Sequence, residues 1–366
     1  MVRLSVIFFL TALLSSLSCR AQVLKPGFEK AEYLECLAMG SHFKDAGGIE
    51  EKYFCREAQG YDRIYVSPTT GFDNVWELWQ RADKKVVVVS IRCTVFTLMS
   101  WYSNFHAGIT KANGFYTLGK KYKYSLSSDT SACVHVGWLG CMLSMQEDII
   151  SKLDSCYNAG IRDCILTGHS QGGAITYLMT AFLLRKQELG EFHKDMQFKT
   201  YCSAAPKPGN YAFAMSYGRM TRGGWAFNVV NADDWVPETP MSVQTPDDFN
   251  PTNPFARIDD VAKMGKMNRM DKVKFKALIT ILRRPTRKSE KKLTRYLGKT
   301  LGGMLEDMYE GYDMPQLERC ANYQRAGDFI IMMPDEEYHR RHPKNAEDAF
   351  EHHMFKSYME LAEADL

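Results

Sequence analysis

The stretch Asp163-Cys-Ile-Leu-Thr-Gly-His-Ser-Gln-Gly-Gly173 decides how this chain reads. Asp163 to Thr167 is a short apolar run suited to a buried strand, and Gly173 to Lys186 has the composition of a helix. The pentapeptide Gly168-His169-Ser170-Gln171-Gly172 is then the sharp turn between them. Small residues two positions before and two after Ser170 let the backbone turn tightly, so that Oγ is pushed into the open while the following helix aims its N-terminus at the same point. A serine presented in this way is a nucleophile elbow, and Ser170 is the expected nucleophile.

Working outward, Ile64 to Ser67, Lys84 to Ile91, Gln197 to Ala204, Trp225 to Asn231 and Asp328 to Met333 read as further strands rich in β-branched or aromatic residues. Val134 to Leu153 and Gly173 to Glu188 read as helices on either side of the elbow. Alternating strands and helices predict an α/β fold of the α/β-hydrolase kind, with a mostly parallel central sheet covered on both faces. Functional residues are then expected beyond the carboxyl ends of the strands. With 366 residues, 45% hydrophobic, 24% charged and a net charge of +3, the chain can bury a large core around one such sheet.

Residues 1–21 differ in kind. Met1-Val-Arg-Leu is a short positive start, Ser5 to Leu17 an apolar stretch, and Cys19-Arg-Ala21 a small-residue exit, which together predict a secretory signal peptide and leave 22–366 as the hydrolase domain. A second reading makes Cys19 a lipid-anchored N-terminus. No later run reaches the ~20 apolar residues of a membrane helix. Export would place nine cysteines in an oxidising compartment, with Cys36 and Cys55 the first pair to test; Cys164 and Cys202 read as small core residues.

A serine hydroxyl needs a histidine to take its proton, and that histidine needs an acid to fix its tautomer. In this fold the acid and then the base follow the nucleophile in the chain. Ala226 to Asn231 runs into Ala232-Asp-Asp-Trp-Val-Pro237, which puts two carboxylates just past a strand end, and Asp234 is the expected acid. Among His339, His342, His352 and His353, the last two open a closing segment with apolar residues at helical spacing, so His353 is the expected base and His352 the alternative. This chemistry needs neither metal nor organic cofactor, and none is expected.

The residues now on the page resemble the class 3, fungal-type lipase family. The resemblance covers about Lys84 to Met241 and Tyr323 to Leu361. It is carried by Val86-Val-Val-Val-Ser-Ile-Arg-Cys-Thr94, Val134-His-Val-Gly-Trp-Leu139, Thr167 to Gly173, Ala205-Pro-Lys-Pro-Gly-Asn-Tyr-Ala-Phe213, Asn231 to Pro237, and His353 with Tyr358. It implies Ser170, Asp234 and His353 as a triad, an oxyanion hole made by the Gln171 N–H and by Thr94, and a structural role for His135. Two positions depart from the pattern: Cys93 stands where glycine is usual, and Gln171 where leucine is commoner. The resemblance implies an ester hydrolase acting on acylglycerols or other lipid esters. An esterase, acyltransferase or peptidase with the same triad stands as the alternative, as does a surface-binding protein that has lost catalysis.

Val95 to Phe105 carries seven large apolar or aromatic side chains. The resemblance implies a short amphipathic lid here; a helix packed in the core is the other reading. An insertion over 241–320 separates acid from base. From Lys263 to Lys299 it holds 14 Lys and Arg against two acidic residues, whereas the whole chain holds 46 against 43, so the rest of the chain is net acidic. Its apolar residues predict helices broken at Pro285. Such a segment is expected either to lie on an anionic lipid surface or to be a solvated insertion; nucleic acid is not an expected partner, and the oligomeric state is left open.

Overall fold

A computed structural model describes residues 23–43, 54–249, 268–343 and 347–366. The expected signal segment, with Cys19, lies outside them, as do residues 263–267 of the basic run. The centre is a seven-stranded sheet whose spatial order follows the chain: β1 Tyr61–Val66, β2 Trp76–Arg81, β3 Val86–Ile91, β4 Asp163–His169, β5 Gln197–Ser203, β6 Ala226–Asn231 and β7 Asp328–Met332. β1, β2 and β3 pair antiparallel, and every later pairing is parallel.

β3 shows why these residues form a central strand. All six are buried, and side chains alternate between faces: Val87, Val89 and Ile91 join one core, Val86 and Val88 the other. The first core is closed by α3 (Val136–Asn158), α4 (Gln171–Leu189) and α5 (Tyr211–Met220), the second by α1 (Lys30–Ser41) and the final helix α8 (Phe355–Asp365), which packs on α1. α2 (Leu98–Phe105) lies between β3 and α3, and a short antiparallel sheet over 109–111, 133–135, 209–210 and 323–324 adjoins them. α3 begins at Val136, two residues later than expected, because Cys133–His135 is a strand and His135 caps the helix by accepting the Trp138 N–H at 3.3 Å.

Between β6 and β7 come α6 (Arg269–Leu293) and α7 (Leu301–Met308). α6 runs through Pro285, contrary to the break expected there. Proline removes one backbone donor, but this helix stands largely in solvent, where water can satisfy the freed carbonyl, and its neighbours hold the turn on either side. Cys36 is a buried free thiol inside the second core and makes no bridge to Cys55, behaving as the small apolar residue its surroundings require. Among the described residues no helix is long and apolar enough to cross a membrane.

Candidate active site

The elbow forms because the chain there has no room for side chains. A Cβ on Gly172 would stand 2.2 Å from the Ile91 carbonyl oxygen, and one on Gly168 2.4 Å from Gly172. β4 therefore passes directly into α4 against β3, and Ser170, held between them, takes φ 58 and ψ −126. That left-handed φ is sparsely populated for a residue with a Cβ and is sustained by the packing around it.

Three loops past strand ends meet at Ser170. His353, at the end of a short turn over Glu351–His353 before α8, places Nε2 2.8 Å from Ser170 Oγ. Its Nδ1 lies 2.7 Å from Asp234 Oδ2, three residues past β6. Asp234 is buried and also accepts the Val236 N–H at 2.9 Å and the Tyr358 hydroxyl at 2.8 Å. The carboxylate is thus fixed from three sides. His352 faces elsewhere: its Nδ1 is 3.1 Å from the Tyr338 hydroxyl and its carbonyl accepts from Asn231. The neighbouring Asp233 pairs with His339 at 2.6 Å, away from the serine.

His169, beside the serine, is buried with its Nε2 2.7 Å from the His353 carbonyl oxygen and its Nδ1 3.0 Å from Ser203 Oγ. Burial drives its pKa well below the ordinary histidine value, so the ring stays neutral and its Nε2–H donates to that carbonyl. His135, stacked on Trp138 at 3.6 Å, is likewise held neutral by burial. Sequence reasoning singled out neither the His169 contact nor the Tyr358 bond to Asp234. Both join residues more than a hundred positions apart, which no local pattern records.

Thr94 and Gln171 line the same cleft as Ser170 and His353. As the first residue of α4, Gln171 has an N–H without an intrahelical acceptor. Thr94 Oγ1 accepts from the Asn104 side-chain amide at 3.0 Å. Cys93 does not distort this loop, since the non-glycine residues with positive φ among those described are Asp73, Lys84, Ser170 and Ala204. Burial raises the Cys93 thiol to about 11, so it is a neutral neighbour and not a competing nucleophile. The site opens into a cleft of about 450 Å³ walled by Phe96, Trp101, Phe105, Trp235, Met241 and Leu297, among others.

Sheet order, elbow and strand-end loops give the α/β-hydrolase fold. Residues 88–244 match the family described as lipase (class 3). A curated relative, secreted mono- and diacylglycerol lipase 3 of Gibberella zeae, is 33% identical over 108 residues, which is 29% of this chain and 32% of that protein; the match thus spans about a third of the relative's length. Among solved structures, a fungal lipase–inhibitor complex is 19% identical with a TM-score of 0.44, over 58% of this chain and 73% of its own. A triacylglycerol lipase from Penicillium expansum is 18% identical with a TM-score of 0.44, over 58% and 75%.

Proposed function

We propose that this chain is an exported serine ester hydrolase acting on acylglycerols or other lipid esters. The observation that carries the reading is the hydrogen-bonded series Asp234, His353, Ser170, at 2.7 and 2.8 Å, opening onto a cleft lined mainly by aromatic and aliphatic side chains. Ser170 Oγ attacks the ester carbonyl carbon as its proton passes to His353 Nε2, and the carbonyl π pair moves onto oxygen. The Gln171 N–H and Thr94 stabilise that oxyanion. Collapse expels the alcohol, which takes the proton from His353; water activated by the same imidazole then releases the fatty acid. Asp234 holds the tautomer and offsets the imidazolium charge.

An apolar cleft favours acyl chains over a peptide backbone, whose polar groups would lose water without replacement. Export belongs to the same proposal, supported by the reading of residues 1–21 and by the relative named as secreted. A panel of p-nitrophenyl esters of rising chain length, with acylglycerol and phospholipid emulsions and a peptide substrate, tests the reading. It predicts ester turnover lost in Ser170→Ala, with acylglycerols cleaved; turnover confined to the peptide would refute it.

The partner we propose is an anionic lipid surface, met by α6. At 100° per residue, Met270, Val273, Ile281, Arg284, Lys288, Lys291 and Lys292 fall within an arc of roughly 100°, and all are exposed. The opposite side carries buried Ile279 and Glu290. The outward stripe is thus mainly apolar in its first turns, where Lys274 is the exception, and basic in its last. Leu297, just beyond α6, lines the catalytic cleft. Arg283 and Arg287 turn inward instead and pair with Asp247. Each outward cation that reaches the surface contributes about 1 kcal/mol, fading with salt.

A further inference from the structure

Helix α2 buries two serines beside the apolar Met99 and Tyr102 that pack on the first core. Ser100 and Ser103 are buried, while Phe96 just ahead of the helix and Phe105 at its end are exposed along the cleft and Leu98 is exposed at the helix start. Of the two readings of this stretch, a lid or a helix packed in the core, the core-packed one holds only for Met99 and Tyr102, and the two buried serines require something polar beneath the helix. That partner is the side chain of Gln171. Its Nε2 lies 2.8 Å from Ser103 Oγ, 3.0 Å from the Ser100 carbonyl and 2.8 Å from Asn104 Oδ1, while its Oε1 accepts from Ser100 Oγ at 3.4 Å. Ser100 Oγ in turn accepts the Val95 N–H at 3.1 Å, next to Thr94.

The web fixes orientation as well as position. Asn104 Oδ1 accepts from Gln171 and from the Trp138 indole at 2.9 Å, so its amide cannot flip without facing two donors with its own NH2. Its Nδ2 must therefore donate to Thr94 Oγ1. A hydroxyl that accepts there keeps its single proton free for the cleft, where the oxyanion forms. One buried side chain thereby ties the two sides of the oxyanion hole together, its own backbone N–H on one side and Thr94 on the other.

We infer that the Gln171 side chain is a positioning residue: it latches α2 with Ser100 and Ser103 inward and Phe105 at the cleft, so that the oxyanion hole is assembled before a lipid surface is met. The leucine commoner at this position in the resembling family offers no such bonds and leaves the serine face of α2 without a partner. The inference rests on ester hydrolysis at Ser170 for its kinetic consequence, and on the helix alone for its structural one.

Two measurements test it on the full chain. The first is the initial rate on a short-chain ester, across its solubility limit. Wild type is expected to rise smoothly with no jump at the limit; Gln171→Leu is expected to lose kcat by about tenfold or more below it, with KM little changed, and to regain rate once substrate disperses. The second is hydrogen–deuterium exchange of the amides over 98–105 without substrate, expected to be faster in Gln171→Leu and in the milder Gln171→Met and Ser103→Ala. Those two variants carry the test if the leucine variant does not fold. Exchange unchanged in folded variants overturns the latch, as does an unaltered kcat below the solubility limit. A wild type with no ester turnover refutes the proposed function instead, and exchange still decides the latch.

Discussion

Replacing Asp234 by asparagine removes one charge while keeping the side-chain shape, and the structure says what that removal does. The carboxylate receives three donors: His353 Nδ1–H and the Tyr358 hydroxyl at Oδ2, and the Val236 N–H at Oδ1. An amide has one acceptor oxygen, so in either orientation its NH2 opposes at least one of these donors. If it faces His353, the ring is driven to carry its proton on Nε2, where it can no longer take one from Ser170. If it faces away, the imidazolium formed in the transition state still lacks its counter-charge. With charge centres about 4 Å apart at an effective dielectric near 20, that attraction is about 4 kcal/mol, or about a thousandfold in rate. The tautomer penalty acts in the same direction. We therefore expect kcat for a soluble p-nitrophenyl ester to fall by about 10³- to 10⁴-fold in Asp234→Asn with KM little changed. Stopped-flow or long-time plate assays span that range. A loss smaller than about tenfold in a variant with wild-type circular dichroism, or a loss appearing mainly in KM, would refute the role given to Asp234.

Other outcomes follow from the same geometry. Gly172→Ala sets a Cβ 2.2 Å from the Ile91 carbonyl and should lower both the melting temperature and turnover; an active, equally stable variant would contradict the close-packed elbow. Leu166→Ala, in the wholly buried β4, should cost about 2–5 kcal/mol in urea unfolding. Burial lowers His106 to about 4, so below the ordinary histidine range the unfolded chain binds a proton that the native chain does not; stability should fall as the pH drops from about 6.5 towards 4, and His106→Gln should flatten that slope in unfolding midpoints. Changing Arg284, Lys288, Lys291 and Lys292 to Gln should weaken salt-sensitive binding to phosphatidylserine vesicles without altering hydrolysis of a short soluble ester. Vesicle binding absent from wild type, or indifferent to salt and to these changes, would remove the surface role.

What the sequence made legible was local. β3 and β4 are dense in β-branched and apolar residues, and both appeared in the reading; the elbow is contiguous, and its spacing alone exposed it. β2, Trp-Glu-Leu-Trp-Gln-Arg, escaped because Glu77 reads as a surface residue, whereas in the fold it is buried, held by Arg63 at 2.8 Å and the Trp79 indole at 2.9 Å. For helix α2 the sequence left two readings open, a lid or a helix packed in the core, because the decisive term is a buried amide from Gln171 that bonds two serines, and hydrogen bonds between residues some 70 positions apart leave no periodic trace. Pro285 was weighed by propensity alone, while an exposed 25-residue helix absorbed it. In the basic segment, sequence gave the charge total but not its direction, and Arg283 and Arg287 prove to be turned to Asp247.

The central claim is that Ser170 is the group that attacks the ester carbonyl. The most direct measurement is peptide mass spectrometry after brief exposure of wild type and of His353→Ala to diethyl p-nitrophenyl phosphate. The account predicts one diethylphosphoryl adduct in wild type, on Ser170, together with loss of ester turnover, and far slower modification when the imidazole 2.8 Å from Oγ is removed. An adduct on another residue that tracks the loss of activity, or full activity with Ser170 modified, would contradict it.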